Sequence, residues 1–166
     1  MLISASIGRF LSKDAEGSGI PEMKSILAGV NIYKFLSYRA MIGKIIGVWA
    51  NFCAHLSIGK EGPFVHISAC IANNLAKLSF FRDINSATKK NMLAAAVGAG
   101  VTATFGTPIG GVLFSIEVTS SYYIVANLWR TFFCSVFTMI VYCFFRLVSK
   151  FELFGVLHLN EVEVDL

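Results

Sequence analysis

Charge is scarce in this sequence. Only 14% of its residues are Asp, Glu, Lys or Arg, against about a quarter in a typical soluble domain, so a soluble surface would run short of ionised groups. The formal charge of +4 is scattered through short connectors with no block of lysine or arginine, which leaves nucleic-acid binding without a footprint. Cysteine offers little more. Cys53, Cys70, Cys134 and Cys143 form no CxxC pair and match no histidine pattern, so they read as small buried hydrophobes. Cys53 and His55 could begin a metal site, but no further ligands stand near them, and neither a metal nor a cofactor is expected. The amino terminus, "MLISASIGRFLSKD", is broken by charge before an uninterrupted apolar core can form, and no signal peptide is read there.

What the chain has in plenty is apolar. Hydrophobic residues make up 55% and the mean hydropathy is +0.68, more than a small core requires, so the expected surroundings are a lipid bilayer. Four apolar tracts, 40–57, 64–81, 92–118 and 122–145, come near the ~20 residues that cross a bilayer as a helix. Lys44 and Lys77 interrupt the first two, and Arg130 the fourth. The third, "MLAAAVGAGVTATFGTPIGGVLFSIEV", cannot be one helix, because glycine and proline at 106–108 would break it. It is expected as two short helices joined at Gly106-Thr107-Pro108, as in membrane folds with interrupted or re-entrant helices. Ala94, Ala95, Ala96, Gly98, Ala99 and Gly100 would let neighbouring helices approach closely.

The connector "RDINSATKKN" sets Arg82, Lys89 and Lys90 against Asp83, which favours a cytoplasmic loop. The broken third tract then runs outward and returns, bringing Glu117 and Val118 back to the cytoplasmic face. Residues 1–150 form the expected transmembrane helical domain. Residues 151–166 turn acidic and read as a polar tail or loop. No fixed-period repeat is present.

Each of the three prolines follows glycine closely: "GSGIP" at 17–21, "GKEGP" at 59–63 and "FGTP" at 105–108. Proline is tolerated in the first turn of a helix, where its missing N–H costs nothing, so each marks a helix start. A helix start exposes unpaired N–H groups and the positive end of the dipole, a ready anion site. One such pair is ordinarily turn punctuation; three in a membrane-grade sequence favour the anion reading. Glu61, between Lys60 and Gly62, has two readings here. It is a capping carboxylate at a helix start, or a tethered anion that holds the place of a diffusing one and leaves it on protonation.

"GSGIPEMKSILAG" (17–29), "GKEGPFVHI" (59–67) and "GTPIGGVLFSIEV" (106–118), in this order, resemble the CLC family of chloride channels and chloride/proton exchangers, its eukaryotic branch in particular. The resemblance implies an all-α, homodimeric, polytopic membrane protein with tilted, broken and re-entrant helices. Ser18, with the backbone of Gly19 and Ile20, would contact a central chloride, and Glu61 would be the gating carboxylate. Lys60, Gly62 and the backbone entering Phe64 would form an outer chloride site, and the segment from Gly110 through the fourth tract would join the dimer interface. Family exchangers commonly carry a second glutamate where this chain has Val118, so the resemblance favours a passive, voltage- or pH-gated chloride channel. An exchanger, or a non-conducting subunit that associates with a full-length CLC protein, is the alternative. The family's second half, with its GxFxP motif and pore tyrosine, finds no match after residue 67, and Tyr122, Tyr123 and Tyr142 come too early. The chain therefore reads as the first inverted-repeat half of the fold, a fragment.

Enzyme readings fail on context. Gly98-Ala-Gly100-Val-Thr-Ala103 fits a loose dinucleotide pattern, but Gly106, Pro108, Gly110 and Gly111 interrupt the helix that must follow. At Gly59-Lys60, Glu61 stands where a phosphate loop needs serine or threonine. Trp129, Phe132, Phe133, Tyr142, Phe144 and Phe145 are expected as lipid or helix contacts. His66 is expected as a packed helix residue, and His158 lies in the tail.

Overall fold

The computed structural model describes residues 15–30, 32, 34–54, 59–78, 85–118 and 125–164, with side chains of the last helix described over 127–150. Among the described residues six helices follow in order: α1 (Ile20–Ala28), α2 (Tyr38–Cys53), α3 (Glu61–Leu75), α4 (Ser86–Phe105), α5 (Pro108–Val118) and α6 (Val125–Val164). No strand occurs among the described residues. All three prolines stand in a first helical turn, Pro21 in α1, Pro63 in α3 and Pro108 in α5, as their glycine-led contexts require.

The third apolar tract breaks where glycine and proline meet. Gly106 closes α4 at φ 69 with its N–H donating to the Thr102 carbonyl, a left-handed cap that an L side chain rarely adopts. Pro108 then opens α5. The pair forms a tight hairpin: Gly98 packs on Gly111, and the Ser115 hydroxyl donates to the Ala94 carbonyl at 3.1 Å. As numbers rise on α5 they fall on α4, so the two helices run antiparallel.

Helix α4 is the hub, packed against α3, α5 and α6. Its partner α6 runs parallel to it, Thr131 beside Gly98 and Met139 and Tyr142 beside Gly106. The core gathers Met23 from α1, Phe35 from the following turn, Val65, Ala69 and Ala72 from α3, and Leu93, Val97 and Val101 from α4. Small residues set the spacing. A Cβ on Gly100 would run into the Ser68 hydroxyl and lie 3.0 Å from the Phe64 carbonyl, so the α3–α4 approach depends on its absence.

Two expectations need correction. The first two tracts are not full spans within the described residues, since α2 has 16 residues and α3 has 15, or about 24 and 22 Å against a hydrocarbon core of about 30 Å. Among the described residues, only the α6 segment Asn127–Lys150 is long and apolar enough to cross a bilayer by itself. Over 151–164 the backbone of α6 remains helical. Of the cysteines, Cys70 is buried and Cys134 partly so, whereas Cys53 and Cys143 are exposed. His55, Arg82, Asp83, Tyr122 and Tyr123 lie outside the described residues.

Candidate anion site

The starts of α1 and α3 meet. A Cβ on Gly62 would collide with the Ser18 hydroxyl and lie 2.7 Å from the Ser18 carbonyl, so the turn before α1 rests on the first turn of α3. Gly19 caps α1 at φ 91, and a Cβ there would lie 3.0 Å from the His66 Cβ. Glycine at both positions is therefore a condition of contact as well as of backbone conformation.

Neither N-cap residue closes its helix with its own side chain. Gly19 and Lys60 make no side-chain capping bond, whereas at α2 the Ser37 hydroxyl accepts from the Ala40 N–H at 3.3 Å. Each uncapped start leaves the first-turn N–H groups without intrahelical acceptors. In α1 the Met23 N–H already donates to the Gly19 carbonyl and Pro21 has no N–H, which leaves Gly19, Ile20 and Glu22. In α3 the Phe64 N–H donates to the Lys60 carbonyl at 3.1 Å. What α3 presents is thus the N–H groups of Lys60, Glu61 and Gly62, and Phe64 contributes its position rather than a free donor. Ser18, Lys60 and Glu61 are exposed, while Gly19 and Gly62 are buried.

A lysine in the middle of an apolar helix supports the arrangement from below. Lys44 on α2 is 4% exposed, and its Nζ donates to the carbonyls of Ala15, at 3.0 Å, and Gly17, at 2.5 Å. Drawing these carbonyls toward α2 fixes the turn that carries Ser18 and holds a positive charge behind it. Glu22 stands in the first turn of α1. Sequence reading noted Lys44 only as an interruption of an apolar tract; a lone buried charge was the signal, but its partners lie 27 and 29 residues away.

His66 is a packed residue. It is fully buried, its Nε2 donates to the Phe35 carbonyl at 2.9 Å, and its ring stacks on Phe35 with centroids 4.0 Å apart. Val118 is buried at the end of α5 beside exposed Glu117. Phe64 and Ser115 meet α4 at Gly100 and Ala94, about 9 Å apart along the axis, and Glu61 and Val118 lie beyond these points in α3 and α5. The structure brings Ser18, Gly19, Ile20, Lys60, Glu61 and Gly62 together and leaves Val118 apart. Among the described residues no group of acids, histidines and cysteines has the grouping of a metal site.

Helix starts that meet, on uneven and interrupted helices, define an all-helical fold of the membrane-protein kind. A family model described as voltage gated chloride channel matches residues 1–163. The chain belongs to that family, the CLC proteins. It is 46% identical over 139 residues to chloride channel protein 2 of Drosophila melanogaster, covering 82% of this chain and 12% of that protein. It is 43% identical over 155 residues to chloride channel protein clh-3 of Caenorhabditis elegans, covering 90% of this chain and 15% of that protein. The crystal structure of a eukaryotic CLC transporter superposes with a TM-score of 0.79 at 39% identity, over 85% of this chain and 27% of that one. The chain thus spans well under a fifth of the length of these curated relatives. Family members are integral membrane channels or transporters.

Proposed function

We propose that this chain supplies the first half of the ion pathway of a passive chloride channel, gated by Glu61. The carrying observation is the contact of Ser18 with Gly62, which sets two uncapped helix starts around one point. Chloride accepts the N–H groups of Gly19 and Ile20 and the Ser18 hydroxyl on the α1 side, and those of Glu61 and Gly62 on the α3 side. Partial charges of about half a unit at each helix start, with Lys44 and Lys60 nearby, attract the ion without trapping it against a full charge.

Glu61 is the first residue of α3, so its own carboxylate reaches the N–H groups the ion uses. Ionised, it occupies them; protonated or displaced by chloride, it leaves them. The gate therefore responds to pH and to chloride concentration, and to voltage where the permeating ion displaces the carboxylate. Val118 cannot exchange a proton, which supports a channel over an exchanger. An apolar face of Ile109, Leu113, Trp129, Phe133 and Phe137, each more than half exposed, supports assembly through α5 and α6, as a homodimer or with a full-length relative.

Chloride efflux from liposomes carrying the chain, with external pH recorded, tests the reading. Expected is efflux without stoichiometric proton movement, accelerated by Glu61→Gln. Proton movement coupled to chloride would overturn the channel reading, and identical efflux from the variant would overturn the gate.

A further inference from the structure

The end of the molecule opposite the two helix starts carries a rim of positive charge that the anion pathway does not use. Three segments converge there: the turn after α1, the end of α3 and the start of α4. The Asn73 side-chain amide donates to the Leu36 carbonyl at 2.8 Å, which ties the end of α3 to the turn. A Cβ on Gly29 would lie 3.2 Å from the Lys90 Nζ, which ties the start of α4 to the end of α1. Onto this rim come Lys34, Arg39, Lys77 and Lys90, all exposed, and half-buried Lys89. Against them, among the described residues, stands Glu117, brought to the same end on the far side of α4 by the bond from Ser115 to Ala94.

One further feature is that of a bilayer interface rather than of a solvated surface. Exposed apolar side chains, Val30, Tyr38 and Leu78 at 57%, 61% and 57%, alternate with the cations, and tyrosine beside basic residues is the usual composition at headgroup depth. Lys34 is held at φ 79 in a turn closed by the Ser37 N–H on the Lys34 carbonyl. A non-glycine residue is uncommon in that conformation.

We infer that this rim is a binding surface for anionic phospholipid headgroups of the leaflet it faces. Charge complementarity selects the occupant: Lys34, Arg39, Lys77 and Lys90 present ammonium and guanidinium donors to phosphate and carboxylate oxygens, while Val30, Tyr38 and Leu78 enter the acyl boundary. Residues flanking the rim belong to α1 and α3, whose other ends form the anion site. A lipid bound here therefore braces the two helices whose starts must stay in register.

Native mass spectrometry of the detergent-solubilised chain, titrated with phosphatidylserine or phosphatidylcholine, tests the inference without requiring chloride movement. The wild-type chain is expected to retain phosphatidylserine at about tenfold lower lipid concentration, from a contribution of about fivefold per lysine near the surface, partly screened. Lys77→Gln with Lys90→Gln removes the preference; the corresponding arginine pair keeps it. Because Lys90 also covers the end of α1, Arg39→Gln with Lys77→Gln is run beside it and is expected to show the same loss. Equal retention of both lipids by the wild type, or a preference that survives both glutamine pairs, overturns the inference. Binding of polyglutamate with no discrimination between the lipids also overturns it, and assigns the rim to an acidic protein segment.

Discussion

Gly62 carries no side chain because Ser18 occupies the space where one would stand. Gly62→Ala is therefore expected to separate α1 from α3, lowering stability by roughly 1–3 kcal/mol, the usual range for overpacking, and weakening chloride binding. Gly59→Ala is the control, since nothing lies within 4 Å of its added Cβ. Thermal unfolding in detergent checks both; equal midpoints for the two variants would count against the close contact. Ser18, Glu61 and Gly62 were legible in the sequence as motif members, through proline and glycine marking helix starts. Their meeting was not, because they stand in different helices and only tertiary packing brings them together. Phe64 shows a finer limit: a motif position implies a backbone donor, but proline at 63 and the helix bond to Lys60 decide which N–H groups remain free.

Helix breaks were the most readable elements, since the chemistry that makes them is local. Gly106 and Pro108 end α4 and begin α5 whatever packs around them. Helix boundaries were less readable because hydropathy follows burial and not hydrogen bonding: α3 begins at charged Glu61, ahead of the apolar residues that suggested it. The approach of α4 and α5 rests on Gly98 and Gly111, where an added Cβ on Gly111 would collide with the Thr102 hydroxyl and the Gly98 carbonyl. Backbone cannot yield as a flexible side chain does. Gly111→Ala is expected to cost roughly 1–3 kcal/mol and to shift α5 against α4. Gly47→Ala on α2 meets nothing within 4 Å and is expected to gain about 1 kcal/mol from helix propensity. Opposite movements of the two unfolding midpoints check this pair; a destabilised Gly47→Ala chain would mean that α2 is packed more closely than the structure has it.

Among the described residues short helices, two of whose starts meet at Ser18 and Gly62, stand beside one apolar segment, Asn127–Lys150, with the length to cross a bilayer. That geometry leaves first-turn N–H groups without intrahelical acceptors at the meeting point, the kind of place where a helix start accepts an anion. Family resemblance carried the all-helical architecture correctly, whereas charge counting alone pointed only to a membrane. Lys44 belongs to neither source, because its role depends on two distant carbonyls. The central claim is that Glu61 and chloride compete for the same N–H groups, and chloride binding to the purified chain tests it most directly. Titration calorimetry at neutral and acidic pH, for wild type and Glu61→Gln, is the measurement. Protonation removes the competing charge, so wild-type affinity is expected to rise as pH falls, while Glu61→Gln binds more tightly at neutral pH and is insensitive to pH. Equal pH dependence in the two proteins would contradict the claim.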